Sequence, residues 1–361
     1  MQLGIVGLPF SGKSTLFQAL TRTHLDSAAM AKREAHVAIV RVPDERLDRC
    51  SAIFSPKSTV YATIELVDVP GLKKAESGTT QFTTGFLSAV KTNDALIQAV
   101  RLFANDAVPH PDGSVDPLRD VATFETEFIL ADMAVLESRI EKINKQVARA
   151  HDEQMTRELP VLEKCLALLQ AEKPLRNKDL SREELKILKT YQLLSLKPML
   201  IALSLDESQQ SIMEEEVARV AAAKAGLRTR VVAFFGKIDM EMSELSAEEA
   251  KMFRDEYGIR ESALDTLIRE AYALLGLQSF LTVGEDECRA WTIRTGMTAQ
   301  EAAGVIHSDF AASFIRAEVV HYDDFINAGG SFAKAKEAGH WRLEGKGYEV
   351  KDGDILNIRH G

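Results

Sequence analysis

Short apolar runs separated by long amphipathic stretches dominate the first three quarters of the chain. Gln2–Val6, Ile64–Val67, Ala95–Val100, Met199–Leu203 and Thr229–Phe235 each read as a strand that is apolar on both faces. Such strands are buried on both sides, and helical connections between them supply the covering layers. The pattern therefore predicts an α/β fold built on a parallel-rich sheet. In the middle of the chain the period changes. Ile129, Met133, Leu136, Ile140, Ile143 and Val147 recur at alternating spacings of 4 and 3, and Met155, Leu159, Leu162, Leu166 and Leu169 repeat the stripe after a polar break. Two heptad-like stripes of this length predict an antiparallel helical hairpin, with Pro160 as a kink or restart in the return helix. Ser181 with Glu184 offers a capping box for a further helix.

Beyond Leu277 the pattern is that of a small α+β module. Arg289–Ile293, Phe314–Val320, Tyr348–Val350 and Ile355–Ile358 read as strands, and Thr298 with Glu301 caps a helix reaching Ile306. The expected organisation is an α/β domain from residues 1–125 and 191–276, a helical insertion at 126–190 and a carboxyl-terminal module at 277–361.

Composition narrows the class. With 361 residues and 45% hydrophobic content the chain has ample material for a core. No apolar run approaches the roughly 18 residues of a membrane span, and the longest, Leu193–Leu205, is interrupted by Lys197 and Pro198. The N-terminus enters a strand at once, without a basic leader. Cys50, Cys165 and Cys288 are an odd, widely spaced set that suits neither a disulfide framework nor a zinc site, so a cytoplasmic setting is expected. The net charge of −10 argues against a general nucleic-acid coat, and residues 277–361 carry nine basic and thirteen acidic side chains.

The chemistry begins at Gly7-Leu8-Pro9-Phe10-Ser11-Gly12-Lys13-Ser14, which fits G-x-x-x-x-G-K-[ST] between a strand and a helix. Gly7 and Gly12 let backbone N–H groups turn toward phosphate oxygens, with Pro9, Phe10, Ser11 and Thr15 completing the loop and the first helical turn. Lys13 is expected on the β- and γ-phosphates and the Ser14 hydroxyl on Mg²⁺. Asp68-Val69-Pro70-Gly71 follows the strand at 63–67, where Asp68 is placed to hold Mg²⁺ and Gly71 to sense a γ-phosphate. The next residue, Leu72, stands where many GTPases carry a water-orienting Gln, and leucine has no polar group for that task. Either another residue supplies the polar group or the protein barely hydrolyses nucleotide. The guanine-reading Asn-Lys-x-Asp sequence is absent; the corresponding strand runs into Ser204-Leu205-Asp206-Glu207. Base recognition is then expected from Ser204, Leu205 and Glu207 with the loop beginning at Phe235 and Gly236, and strict GTP specificity is not.

Seven further segments extend the pattern: Val42-Pro43-Asp44-Glu45-Arg46-Leu47-Asp48, the run from Ile64 to Leu72, Val115-Asp116-Pro117, Arg289-Ala290-Trp291-Thr292-Ile293, Ala302-Ala303-Gly304-Val305-Ile306-His307, the run from Phe314 to Val319, and Trp341-Arg342-Leu343-Glu344-Gly345-Lys346. With the phosphate loop, they resemble the YchF/Obg-like ATPase family, within the translation-factor-related class of P-loop GTPases. The resemblance covers nearly the whole chain. It implies a P-loop NTPase domain interrupted by a helical arm and followed by a ubiquitin-like β-grasp (TGS) domain. It implies Mg²⁺-dependent hydrolysis of ATP or GTP with Leu72 in place of Gln, and His110 as the catalytic candidate. A neutral His110 orienting water would fill the gap left by Leu72. The ribosome or another translation component is the implied partner, engaged through the arm and the TGS domain as a protein surface or by direct RNA contact. The chain departs from the family at Phe10 and Ser11, where Asn and Val are usual. It also departs at Met30–His36, which lacks the switch Thr and has Ala31 in place of a cysteine. Ser204 replaces the Asn of Asn-x-x-Glu, while Glu207 is kept.

Overall fold

The computed structural model describes residues 1–22, 36–70, 72–74, 80–147, 152–245, 249, 252 and 262–361. In chain order these form β1 (Gln2–Gly7), α1 (Lys13–Thr21), β2 (His36–Arg41), α2 (Glu45–Phe54), β3 (Ser58–Val60), β4 (Thr63–Asp68), the short strands β5 (Lys73–Lys74) and β6 (Thr80–Gln81), α3 (Thr84–Lys91) and β7 (Ala95–Arg101). There follow α4 (Pro117–Val147), α5 (Glu153–Gln170), α6 (Arg182–Leu188), β8 (Met199–Leu205), α7 (Met213–Lys224), β9 (Thr229–Phe235), α8 (Gly236–Glu244) and α9 (Ala263–Leu274). The last stretch contains β10 (Leu277–Thr282), β11 (Glu287–Arg294), α10 (Ala299–Ile306), α11 (Ser308–Ala312), β12 (Phe314–His321), α12 (Tyr322–Asn327), α13 (Phe332–Glu337), β13 (Arg342–Glu344) and β14 (Asp354–His360). They divide into two compact units, Met1–Ala38 with Glu65–Leu274, and Ile39–Ile64 with Leu275–Gly361.

The first unit is organised by a sheet of order β2-β4-β1-β7-β8-β9. Four of its pairings, β4-β1, β1-β7, β7-β8 and β8-β9, are parallel, with Gly7 opposite Ala99 and Arg101 opposite Ser204. Every residue of β7 and β8 is buried, Gln98 and Arg101 of β7 and Ser204 of β8 included, as their mostly apolar sequences lead one to expect. This geometry carries the carboxyl ends of β1, β4, β7, β8 and β9 to one edge of the sheet, where an open α/β fold binds ligands.

The hairpin forms as its stripes predict. Ile129, Leu136 and Ile143 of α4 pack with Leu162, Cys165 and Leu169 of α5 in one apolar cluster. Fully burying a leucine-sized side chain contributes about 2 kcal/mol. Helix α4 starts earlier than the sequence period suggests, with Pro117 at its first position and the Asp116 carboxylate accepting from the N–H groups of Leu118 and Arg119. Helix α5 runs through Pro160 without a break, at the cost of one backbone hydrogen bond. Across the seam Arg139 makes a two-pronged ion pair with Glu158, at 2.7 and 2.9 Å, and Tyr191 bonds the same carboxylate. Fully buried Arg176, in the return segment, pairs with Glu125 of α4 and donates to Thr229 Oγ1 of β9 at 3.0 Å.

The second unit has a mixed sheet of order β13-β12-β14-β10-β11-β3. Helix α10 covers one face, its Ala299, Ala302 and Ala303 packing with Phe280, Phe314, Val319 and Leu356. A helix laid on such a sheet is the expected β-grasp arrangement, and the Thr298–Glu301 capping box forms as predicted. Tyr348–Val350 does not form the expected strand. Its backbone makes one isolated bridge, Thr298 to Glu349, and clips the start of α10 instead, through Ala299 N–H to the Tyr348 carbonyl at 2.7 Å and Val350 N–H to the Met297 carbonyl at 3.0 Å. Residues 39–64, read from sequence as part of the nucleotide domain, pack in this unit. Strand β3 pairs in parallel with β11, and Arg46 of α2 bonds Asp44 and Asp352, whose carboxylate also accepts the Ser279 N–H at 2.9 Å.

Candidate functional site

The phosphate loop joins β1 to α1 with the backbone its sequence demands. Gly12 has φ +89°, and a Cβ there would lie 2.7 Å from Ser204 Oγ. A Cβ at Gly7 would lie 2.9 Å from the Ala99 carbonyl and overlap the Ser11 hydroxyl, which is buried against it. Ser11 thus packs inward. Phe10 holds φ +64° and is 60% exposed, a left-handed conformation that costs a non-glycine residue about 1–2 kcal/mol. Lys13 reaches across to β4, where its Nζ pairs with the Asp68 carboxylate and donates to the Val69 carbonyl at 2.9 Å. Both charged side chains are little exposed, at 12% and 13%. Ser14, in the first turn of α1, and Asp68 offer hydroxyl and carboxylate oxygens, the hard donor set that suits Mg²⁺. A cation at Asp68 would compete with Lys13.

Leu72 is buried among Val6, Leu8, Val69 and Phe86. Its contribution is packing, because an apolar side chain beside that cluster is drawn into it. Gly71 and residues 30–35 of the expected switch segment lie outside the described residues.

His110 is buried in the loop between β7 and α4. Its Nδ1 accepts the Asp112 N–H at 3.1 Å, so its Nε2 carries the proton and donates to Asp120 Oδ2 at 2.9 Å. The other oxygen of Asp120 accepts from Arg119 Nη2 at 2.9 Å. Burial pushes the Asp120 carboxyl upward, against the opposing pull of Arg119 and His110. The structure therefore holds His110 in a neutral, two-sided hydrogen-bond lock and shows no bond from it to the phosphate loop.

A cavity of about 670 Å³ opens beside Gly12 and Thr15. One wall is Ser204, Leu205 and Glu207 at the end of β8, and a second is Phe235 and Gly236 at the start of α8, so all five expected base-site residues meet. Asp206 and Lys237 also line it, as do Phe103, Ser208, Ile238 and Met240, which went unread in the sequence. The signal for Phe103 was an aromatic two residues beyond a fully buried strand, which carries meaning only once β7 lies beside β8. The Asp206 carboxylate, at the cavity wall, caps Ser208 N–H at 2.8 Å, while Gln209 ties the loop to the Leu102 carbonyl at 3.0 Å. Asp239 accepts the Phe235 N–H at 2.7 Å and burial pushes its carboxyl up to about 6. That N–H, expected to help read the base, is therefore already engaged.

A lysine-bearing loop closing on a strand-end aspartate, with a cavity formed by the next strand ends, defines a nucleotide-binding protein of the P-loop GTPase class. Residues 2–130 match the MMR_HSR1 family, described as 50S ribosome-binding GTPase, and residues 277–361 match YchF-GTPase_C, described as a protein of unknown function. The chain is 43% identical over 360 residues to the ribosome-binding ATPase YchF of Bacillus subtilis, covering 99% of this chain and 98% of that one. It is 41% identical over 360 residues to its namesake in Haemophilus influenzae, with the same 99% and 98% coverage. The solved structure of the Schizosaccharomyces pombe YchF GTPase superposes with a TM-score of 0.86 at 30% identity, covering 99% of this chain and 97% of that one. The chain belongs to the YchF family.

Proposed function

We propose that this protein is a cytoplasmic, Mg²⁺-dependent nucleoside triphosphatase of slow intrinsic turnover that acts on the ribosome. The observation that carries the reading is the junction of the Lys13–Asp68 pair with the 670 Å³ cavity walled by Ser204, Leu205, Phe235 and Gly236. Lys13 and the loop N–H groups bind the phosphates; Ser14 and Asp68 are the residues to hold Mg²⁺, which when bound offsets phosphate charge. His110 orients the attacking water, exchanging its bond to Asp112 or Asp120 to do so. The base preference leans to ATP, since the Asp206 carboxylate caps Ser208 and, among the described residues, Glu207 is the one other carboxylate lining the cavity. The relatives' names support ribosome association. The excess of acidic side chains in residues 277–361 favours a protein surface over bare RNA for that module.

The two-sided lock on His110 favours a second reading, a nucleotide-binding interaction module that scarcely hydrolyses. Single-turnover assays with ATP and GTP, with and without Mg²⁺ and ribosomes, separate the two. Slow turnover that falls in His110→Ala with little change in affinity supports hydrolysis by His110. Saturable binding without turnover in any condition supports the module. Lys13→Ala binding nucleotide as tightly as the unsubstituted chain would remove the phosphate-loop assignment altogether.

A further inference from the structure

Arg101 is the buried charge that nucleotide binding leaves without a role. It ends β7, is 2% exposed, and makes no hydrogen bond to a carboxylate among the described residues. Its Nε donates to the Phe103 carbonyl at 3.0 Å and its Nη2 to the Asn105 carbonyl at 3.4 Å, while Nη1 is buried without a partner. The guanidinium also lies over the Phe103 ring, 4.6 Å from its centroid. Burial weakens Arg101's hold on its proton, and attraction to Asp120 opposes this. An apolar side chain would occupy the same space without burying a charge, so packing alone does not account for a guanidinium. A planar fork with a stacking face does: it spans two carbonyls two residues apart and lies on a ring.

Both ends of this arrangement belong to the site. Phe103 lines the cavity. Asn105 opens the His110 loop, its carbonyl accepting from Val108 N–H at 3.2 Å and its side chain from Ala107 N–H at 3.0 Å. Asp120, the carboxylate in electrostatic reach of Arg101, is the one bonded to His110. The other charged groups on that pair are Arg119 and Asp112.

We propose that Arg101 is a positioning residue of the nucleotide site: its fork and face hold Phe103 as a wall of the base pocket. The inference rests on the cavity being the nucleotide site.

The test uses the full chain with two substitutions that separate fork from charge. Arg101→Lys keeps the charge and loses the fork; Arg101→Met keeps the volume and loses the charge. In a fluorescent ATP-analogue titration both variants raise Kd roughly tenfold. Tripolyphosphate, which has no base to meet Phe103, competes with the analogue equally well in both variants and in the unsubstituted chain. Unaltered analogue binding by Arg101→Lys overturns the positioning of Phe103, and a loss of tripolyphosphate affinity equal to the loss for the analogue overturns its confinement to the base pocket. Where circular dichroism shows that a variant has not folded, the Arg101 Nε–H signal of the unsubstituted protein is followed by NMR. A shift on adding the ATP analogue is expected, and a signal indifferent to it counts against the proposal. Absence of saturable binding by the unsubstituted chain would refute the nucleotide reading itself, which is a separate failure.

Discussion

Replacing Asp68 by asparagine isolates the contact that stands between Lys13 and a phosphate. Lys13 Nζ is divided between the Asp68 carboxylate and the Val69 carbonyl, and a nucleotide must take it from the first. Both side chains are close to 90% removed from water, so the pair is weakly screened. A hydrogen bond to a charged group contributes about 1.5–3 kcal/mol net. Asparagine keeps the shape, leaves the Val69 contact intact and removes most of that amount, and it also removes a negative charge beside incoming phosphates. At 1.4 kcal/mol per factor of ten, nucleotide affinity measured in EDTA should rise about tenfold or more. The gain in affinity from adding Mg²⁺ should shrink, because the carboxylate donor is gone. Calorimetric titration with ATP and GTP, with EDTA and with Mg²⁺, reads both effects. Binding by Asp68→Asn in EDTA that is no tighter than that of the unsubstituted chain would refute the competition between Asp68 and phosphate for Lys13.

Three further outcomes test the framework. Glu125→Ala strands the fully buried Arg176 and the neighbouring Lys224, and urea unfolding should show a loss of about 3–5 kcal/mol, much of it recovered when Arg176→Met is added. Leu72→Ala should cost about 2–4 kcal/mol by the same measurement, as for any emptied core site, yet leave basal turnover detectable. Asp132 accepts the N–H groups of Leu194 and Ser195, and burial pushes its carboxyl from an ordinary 3.8 to about 6. The native state then binds more protons than the unfolded chain between those values. Stability should fall by up to about 3 kcal/mol from this group as pH rises through that window, and the slope should flatten in Asp132→Asn.

Much of the architecture was legible because it rests on local periodicity. The mostly apolar runs of β7 and β8 favour burial on both faces, the alternating spacing of Ile129 to Ile143 requires a helical seam, and Ser181 and Thr298 cap helices through residues three positions away. The phosphate loop belongs to the same class: Gly12 and Lys13 act within one turn of chain, so their spacing alone states the geometry. Base-site residues Ser204 and Phe235 were found because each directly follows or ends a recognisable strand. Tertiary structure decided what depends on chain segments meeting from afar. It alone put residues 39–64 with the carboxyl-terminal sheet, because parallel pairing of β3 with β11 and the Arg46–Asp352 pair join positions with no periodic relation. It turned Leu72 into the core, engaged His110 with Asp120, and set Phe103 beside the cavity over a buried arginine. A local pattern fixes which residues share a face of one element, whereas the partner of a buried charge is chosen by which element packs against it.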